Sequence, residues 1–139
     1  MIKYFLRIKF WQFLWNYLLA TMEMVSHDYN KAIYHLTKCL KIGENFDPSG
    51  LIYEQLGKCY FDVNDIAKGK FYLLKVLEIR ENIDKVNSEI TSRIGFIFFQ
   101  EERYDRAKYY LEHAKAHYGK RDYTNINAVK DYLTKLDNV

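Results

Sequence analysis

The segment YEQLGKCYFDVNDIAKG, residues 53 to 69, sets a large residue, Leu56, beside a small one, Gly57, and a second small one, Gly69, thirteen residues after the leucine. The same layout recurs downstream in TSRIGFIFFQEERYDRA, residues 91 to 107, and upstream in NYLLATMEMVSHDYNKA, residues 16 to 32. Ile94 to Ala107 and Leu19 to Ala32 again span 13 residues. The periods are 37 residues from Leu19 to Leu56 and 38 from Leu56 to Ile94, so insertions fall between units, around GENFDPSG and RENIDKVN. A fixed internal register with elastic spacing between units is the mark of a repeated supersecondary unit.

Each unit reads as two helices. A first helix carries one small residue (Ala20, Gly57 or Gly95) and a second carries another (Ala32, Gly69 or Ala107), so the two backbones approach closely and pack antiparallel. Between them lie the short polar turns SHD, VND and EER. Each pair leaves an apolar face that the next pair buries, which gives a one-dimensional array. The pattern predicts an all-α solenoid of antiparallel helix pairs, about seven helices in one domain over residues 1–139. Its parts are an N-terminal extension (1–11), three repeats (12–42, 50–80 and 88–118) and a capping helix (122–137). In that last segment Ile126, Val129, Leu133 and Leu136 recur on one helical face.

Composition agrees. The 139 residues are 49% hydrophobic with one proline and six glycines, which excludes a disordered or collagen-like chain and disfavours a turn-rich β-sandwich. A net charge of +3 is too small to imply nucleic acid by itself. Cys39 and Cys59 lack metal-finger spacing and read as buried free thiols.

The segments YEQLGKCY (53–60) and TSRIGFIF (91–98), with DYNKAIYHLTKC (28–39) and RYDRAKYYLEHA (103–114), resemble the two helices of the tetratricopeptide repeat family. The likeness covers roughly residues 13 to 117. The long period, the missing terminal proline, Asn16 and Glu23 where aromatics are common, and Gly69 in place of alanine depart from the family pattern. The resemblance implies a non-enzymatic scaffold without cofactor that binds a peptide or partner protein. The first helix of each pair would line a concave groove, with Leu14, Tyr17, Thr21 and Met24, then Leu51, Glu54, Lys58 and Phe61, then Glu89, Ser92, Phe96 and Phe99 facing it. Such a lining favours an amphipathic helix or an extended apolar peptide. One branch of the family grips a C-terminal carboxylate with Lys, Asn and Arg. Here Tyr17, Thr21 and Glu89 occupy such positions and only Arg93 matches, so that clamp is not expected.

The residues offer little chemistry. His113 and His117 are four apart, but the order E-H-A-K-A-H lacks the glutamate between the ligands and no third ligand follows, so no metal is expected. There is no phosphate loop and no nucleophile elbow. Lys115, Lys120, Arg121, Lys130 and Lys135 form a modest basic cluster diluted by Asp122, Asp131 and Asp137, and nucleic acid is not expected.

The N-terminal stretch YFLRIKFWQFLWNYLLA, residues 4 to 20, invites other readings. Its uncharged run from Phe10 to Met22 is 13 residues, short of the ~20 a spanning helix needs. Removing it as a signal near Ala20 would uncover Ile33, Leu36 and Leu40, at about 3–6 kcal/mol for two large side chains. Residues 12–25 are therefore expected to form a structural helix in a cytoplasmic protein. Ile2, Tyr4, Leu6, Ile8 and Phe10 alternate with Lys3, Phe5, Arg7, Lys9 and Trp11, and three readings stand for this extension. It extends the first helix and caps the domain. Or it makes a self-association surface through Ile2, Phe5, Leu6, Phe10 and Trp11, giving a homodimer that suits a dedicated chaperone or immunity protein. Or its cations touch a membrane surface, as in a peripheral adaptor, which is the least favoured.

Overall fold

A computed structural model describes residues 1–80, 88–117 and 123–139. It divides into two compact units, Met1–Glu81 and Asn82–Val139. The first holds α1 (Ile2–Val25), α2 (Tyr29–Ile42), a short 3₁₀ turn (Glu44–Phe46), α3 (Leu51–Asp62) and α4 (Ile66–Arg80). The second holds α5 (Ser88–Gln100), α6 (Tyr104–His117) and α7 (Tyr123–Asp137). No strand occurs among the described residues. The expected loop RENIDKVN beyond Arg80 and the break GKRD lie outside them.

The helix pairs are α1 with α2, α3 with α4, and α5 with α6, and the same turn closes each. One residue of every turn takes a left-handed backbone: His27 (φ 61), Asn64 (φ 64) and Glu102 (φ 60). The next amide then reaches back to close the helix: Asp28 to the Glu23 carbonyl, Asp65 to Tyr60 and Arg103 to Phe98, each at 2.8 Å. This is the Schellman closure, which satisfies carbonyls left over at a helix end. The second helix starts at once. Asp28 and Asp65 accept from the amides of Lys31 and Lys68 as N-caps, while the third turn has Arg103 at the equivalent place, its guanidinium 5.3 Å from the Phe98 ring centre.

Small residues set the helix separation. A Cβ on Gly57 would stand 2.6 Å from Leu73, and a Cβ on Gly95 2.6 Å from Leu111. Ala20, Ala32, Ala107 and Ala114 are fully buried. Around these contacts sit Phe13, Leu36, Cys39, Ile52, Leu56 and Cys59 in the first unit. In the second, α7 lays Val129 and Leu133 on Leu111 and Ala114 of α6. Asp47 starts α3, its carboxylate accepting from the amides of Leu51 (3.0 Å) and Ile52 (2.7 Å).

One boundary differs from the sequence expectation. The first helix begins at Ile2 rather than near residue 12, and is 24 residues long against 14 for α2. At 1.5 Å per residue it runs for about 36 Å beside a partner of about 21 Å. Phe10 and Phe13 meet Phe46 of the 3₁₀ turn at ring separations of 5.7 and 5.6 Å, and residues N-terminal to Phe10 are almost all exposed. The extension is therefore helical but does not cover the domain. The alternation of apolar residues places them around the circumference instead of along one face.

Candidate functional site

The first helices of the pairs are α1, α3 and α5, and the residues expected to line a groove meet different fates on them. In the first unit Tyr17 and Met24 are half-buried at the rim of the core, and Thr21 is exposed with its hydroxyl donating to the Tyr17 carbonyl. Phe61 is half-buried over Gly69, where a Cβ would come within 2.9 Å of its ring. Lys58 is half-buried, its Nζ 3.7 Å from Glu54. Glu54 differs from the expectation: it is 6% exposed. Arg80, at the end of α4, donates to it from 2.6 Å and also reaches the Ser49 carbonyl at 3.1 Å. A carboxylate this deep needs such charge-assisted partners. Glu54 thus ties α3 to the end of α4 instead of offering its charge to a ligand.

In the second unit Ser92 is likewise buried, its hydroxyl donating to the Glu89 carbonyl at 2.8 Å. Arg93 pairs with the Glu89 carboxylate at 3.0 Å along the same helix. Phe96 and Phe99 rest on Tyr132 of α7, with ring centres 4.5 and 5.0 Å apart, and Phe99 also meets Tyr104. These rings therefore spend part of their surface holding α7. Neither Arg80 nor Tyr132 was visible as a partner in sequence, because each lies more than 25 residues from the groups it meets and carries no local signal.

The residues weighed for self-association are placed as follows. Ile2, Phe5, Leu6 and Trp11 are exposed, and Phe10 packs one edge on Phe46. Among the described residues no helix is long and apolar enough to cross a membrane.

Among the described residues no chemical centre emerges from the side chains. His113 and His117 stack at 4.2 Å, with His117 Nδ1 2.9 Å from the His113 carbonyl. Among the described residues no three His, Cys, Asp or Glu gather as a metal site. Both thiols are free and buried, and burial pushes each up to about 11, so neither is a ready nucleophile at neutral pH. Tyr53, whose hydroxyl donates to Glu44 at 2.6 Å, is pushed up to about 12 by desolvation and that carboxylate.

The backbone has known counterparts. The structure titled the Sgt2 TPR domain from Aspergillus fumigatus matches with a TM-score of 0.63, covering 89% of this chain and 80% of that one, at 16% identity. That identity speaks to fold alone. Residues 51–83, which span α3 and α4, match the model of the tetratricopeptide repeat. The matched segment is one tetratricopeptide repeat, and the fold of the chain is like that of a tetratricopeptide repeat domain. No curated protein sequence matches it. The described residues form an all-α fold, and Gly57 and Gly69 are the small residues of the two helices in the matched repeat.

Proposed function

We propose that this chain is a non-enzymatic binding module whose first unit holds a peptide segment of a partner protein on the surfaces of α1 and α3. The observation that carries the reading is the mixed character of those helices. Tyr17, Met24 and Phe61 present half-buried apolar groups, while Thr21 and Lys58 set polar groups beside them. Rings and thioethers already held by the core lose little side-chain freedom on binding, which suits them as anchors. Lys58 supplies a cation for an acidic residue of the peptide, and the buried Glu54–Arg80 pair keeps α3 rigid beneath it.

The test is to select binders from a displayed peptide library and map them on isotopically labelled protein. The expected result is amide shifts confined to Tyr17, Thr21, Met24, Lys58, Phe61 and their neighbours, together with at least a tenfold loss of affinity in Thr21→Arg with Lys58→Glu. Peptides that shifted other surfaces, or bound the double variant equally well, would overturn the reading.

A further inference from the structure

The outward side of α1 carries a second periodicity that the packing of the domain does not use. Phe13 and Ala20 face α2 and are buried. Opposite them run Tyr4, Ile8, Trp11, Trp15, Leu18, Met22 and Val25, at spacings that alternate strictly between four and three residues. All seven are exposed, from 44% at Ile8 to 76% at Val25. An apolar seam of period 3.5 over a whole helix is the pattern by which two helices pack knobs into holes.

We propose that this seam pairs with the α1 seam of a second copy, antiparallel, in a two-fold dimer. Three observations select that occupant. The first is area: the seven side chains expose on the order of 800 Å² per copy, the size of one side of a standard specific interface. The second is self-complementarity. In the antiparallel register that overlaps the whole helix, Tyr4 meets Met22 of the second copy, Ile8 meets Leu18, and Trp11 meets Trp15. Each contact occurs twice about a central two-fold, as a closed isologous interface requires. Both tryptophans then lie at the centre, where binding energy concentrates. The third is charge. Lys3, Arg7 and Lys9 are the only charged residues of α1 before Glu23. A parallel pair would crowd six cations at one end, whereas the antiparallel pair sends each trio to opposite ends.

This interface shares no residue with the peptide surface proposed above and uses the opposite side of α1 from its core. It departs from the self-association residues read in sequence, sharing only Trp11 with them. The test uses the full chain. Sedimentation velocity from 1 to 100 µM should give a dimer in this range, and Trp11→Glu with Leu18→Glu should give a monomer with unchanged helicity. Mild oxidation should cross-link an equimolar mixture of Ile8→Cys and Leu18→Cys chains, and neither variant with itself, Cys39 and Cys59 being buried. A wild-type monomer at every concentration overturns the proposal. If that monomer also floats with phosphatidylcholine–phosphatidylserine vesicles, the seam's occupant is a lipid surface instead. Cross-linking of Ile8→Cys with itself overturns the antiparallel register, and a dimer that survives the double substitution overturns the seam.

Discussion

Replacing Gly57 by alanine sets two effects of known size against each other. In a helix interior the methyl group favours folding by about 1 kcal/mol, because glycine has more backbone freedom to lose. Against that, the new Cβ would stand 2.6 Å from Leu73 Cδ2 and 2.9 Å from Leu73 Cγ, and Leu73 is fully buried. Overpacking of this kind costs about 1–3 kcal/mol, so the net expectation is a loss of roughly 1 kcal/mol or more. Gly69 faces it across the same crossing, where its Cβ would stand 2.9 and 3.0 Å from the ring of the half-buried Phe61 and 3.3 Å from the Gly57 carbonyl oxygen. Gly69→Ala is therefore expected to cost less than Gly57→Ala, the tight contacts offsetting most of the ~1 kcal/mol that alanine gains in a helix. Thermal unfolding followed by far-ultraviolet circular dichroism measures both, with melting temperatures differing by about 3–6 °C between the variants. A Gly57→Ala protein as stable as wild type, or a Gly69→Ala protein less stable than Gly57→Ala, would refute the claim that Leu73 is the immovable side of the crossing.

Other outcomes are expected on the same basis. Glu102→Gly relieves a left-handed, non-glycine backbone on an exposed turn and should raise stability by about 1 kcal/mol in the same assay. Glu54→Leu removes the partner of a largely buried Arg80 and should cost about 2–3 kcal/mol. Adding Arg80→Leu to it should recover part of that loss, whereas strict additivity would contradict the coupling. Burial holds Cys39 and Cys59 protonated up to about 11, while the unfolded chain releases these protons near 9. Their contribution to stability is whole below pH 9 and is lost as the pH rises toward 11, at up to ~1.4 kcal/mol per pH unit for each thiol. Melting temperatures at pH 8 and 10 should therefore fall less in Cys39→Ala with Cys59→Ala than in wild type, and equal slopes would count against the buried thiols.

The helix pairs were legible because their chemistry is local. A small residue on each helix at a constant offset, a polar turn and apolar residues at helical spacing all lie within one 17-residue window such as residues 53–69. The surfaces were less legible, because burial of a polar residue depends on partners distant in sequence. Glu54 reads as a surface charge until Arg80 arrives from the end of α4, and Phe96 and Phe99 read as open rings until Tyr132 of α7 covers them. The seam on α1 was hidden for another reason. Its first three heptad positions fall in a stretch where apolar residues also alternate singly, and the remainder continue across the boundary placed at residue 12. Neither half shows the period by itself.

Trp11 and Trp15 are the only tryptophans in the chain, and both stand on the outer side of α1 with 64% of their surface open. Light absorbed at 295 nm is therefore emitted from one helix face alone, and the other described helices are optically silent at that wavelength. An emission maximum near that of free indole would report this face wet, and a blue shift would report it covered, with no label added. The same arrangement means that a thermal melt followed by tryptophan emission records the surroundings of α1, while loss of α5, α6 and α7 would pass unseen unless ellipticity were recorded beside it.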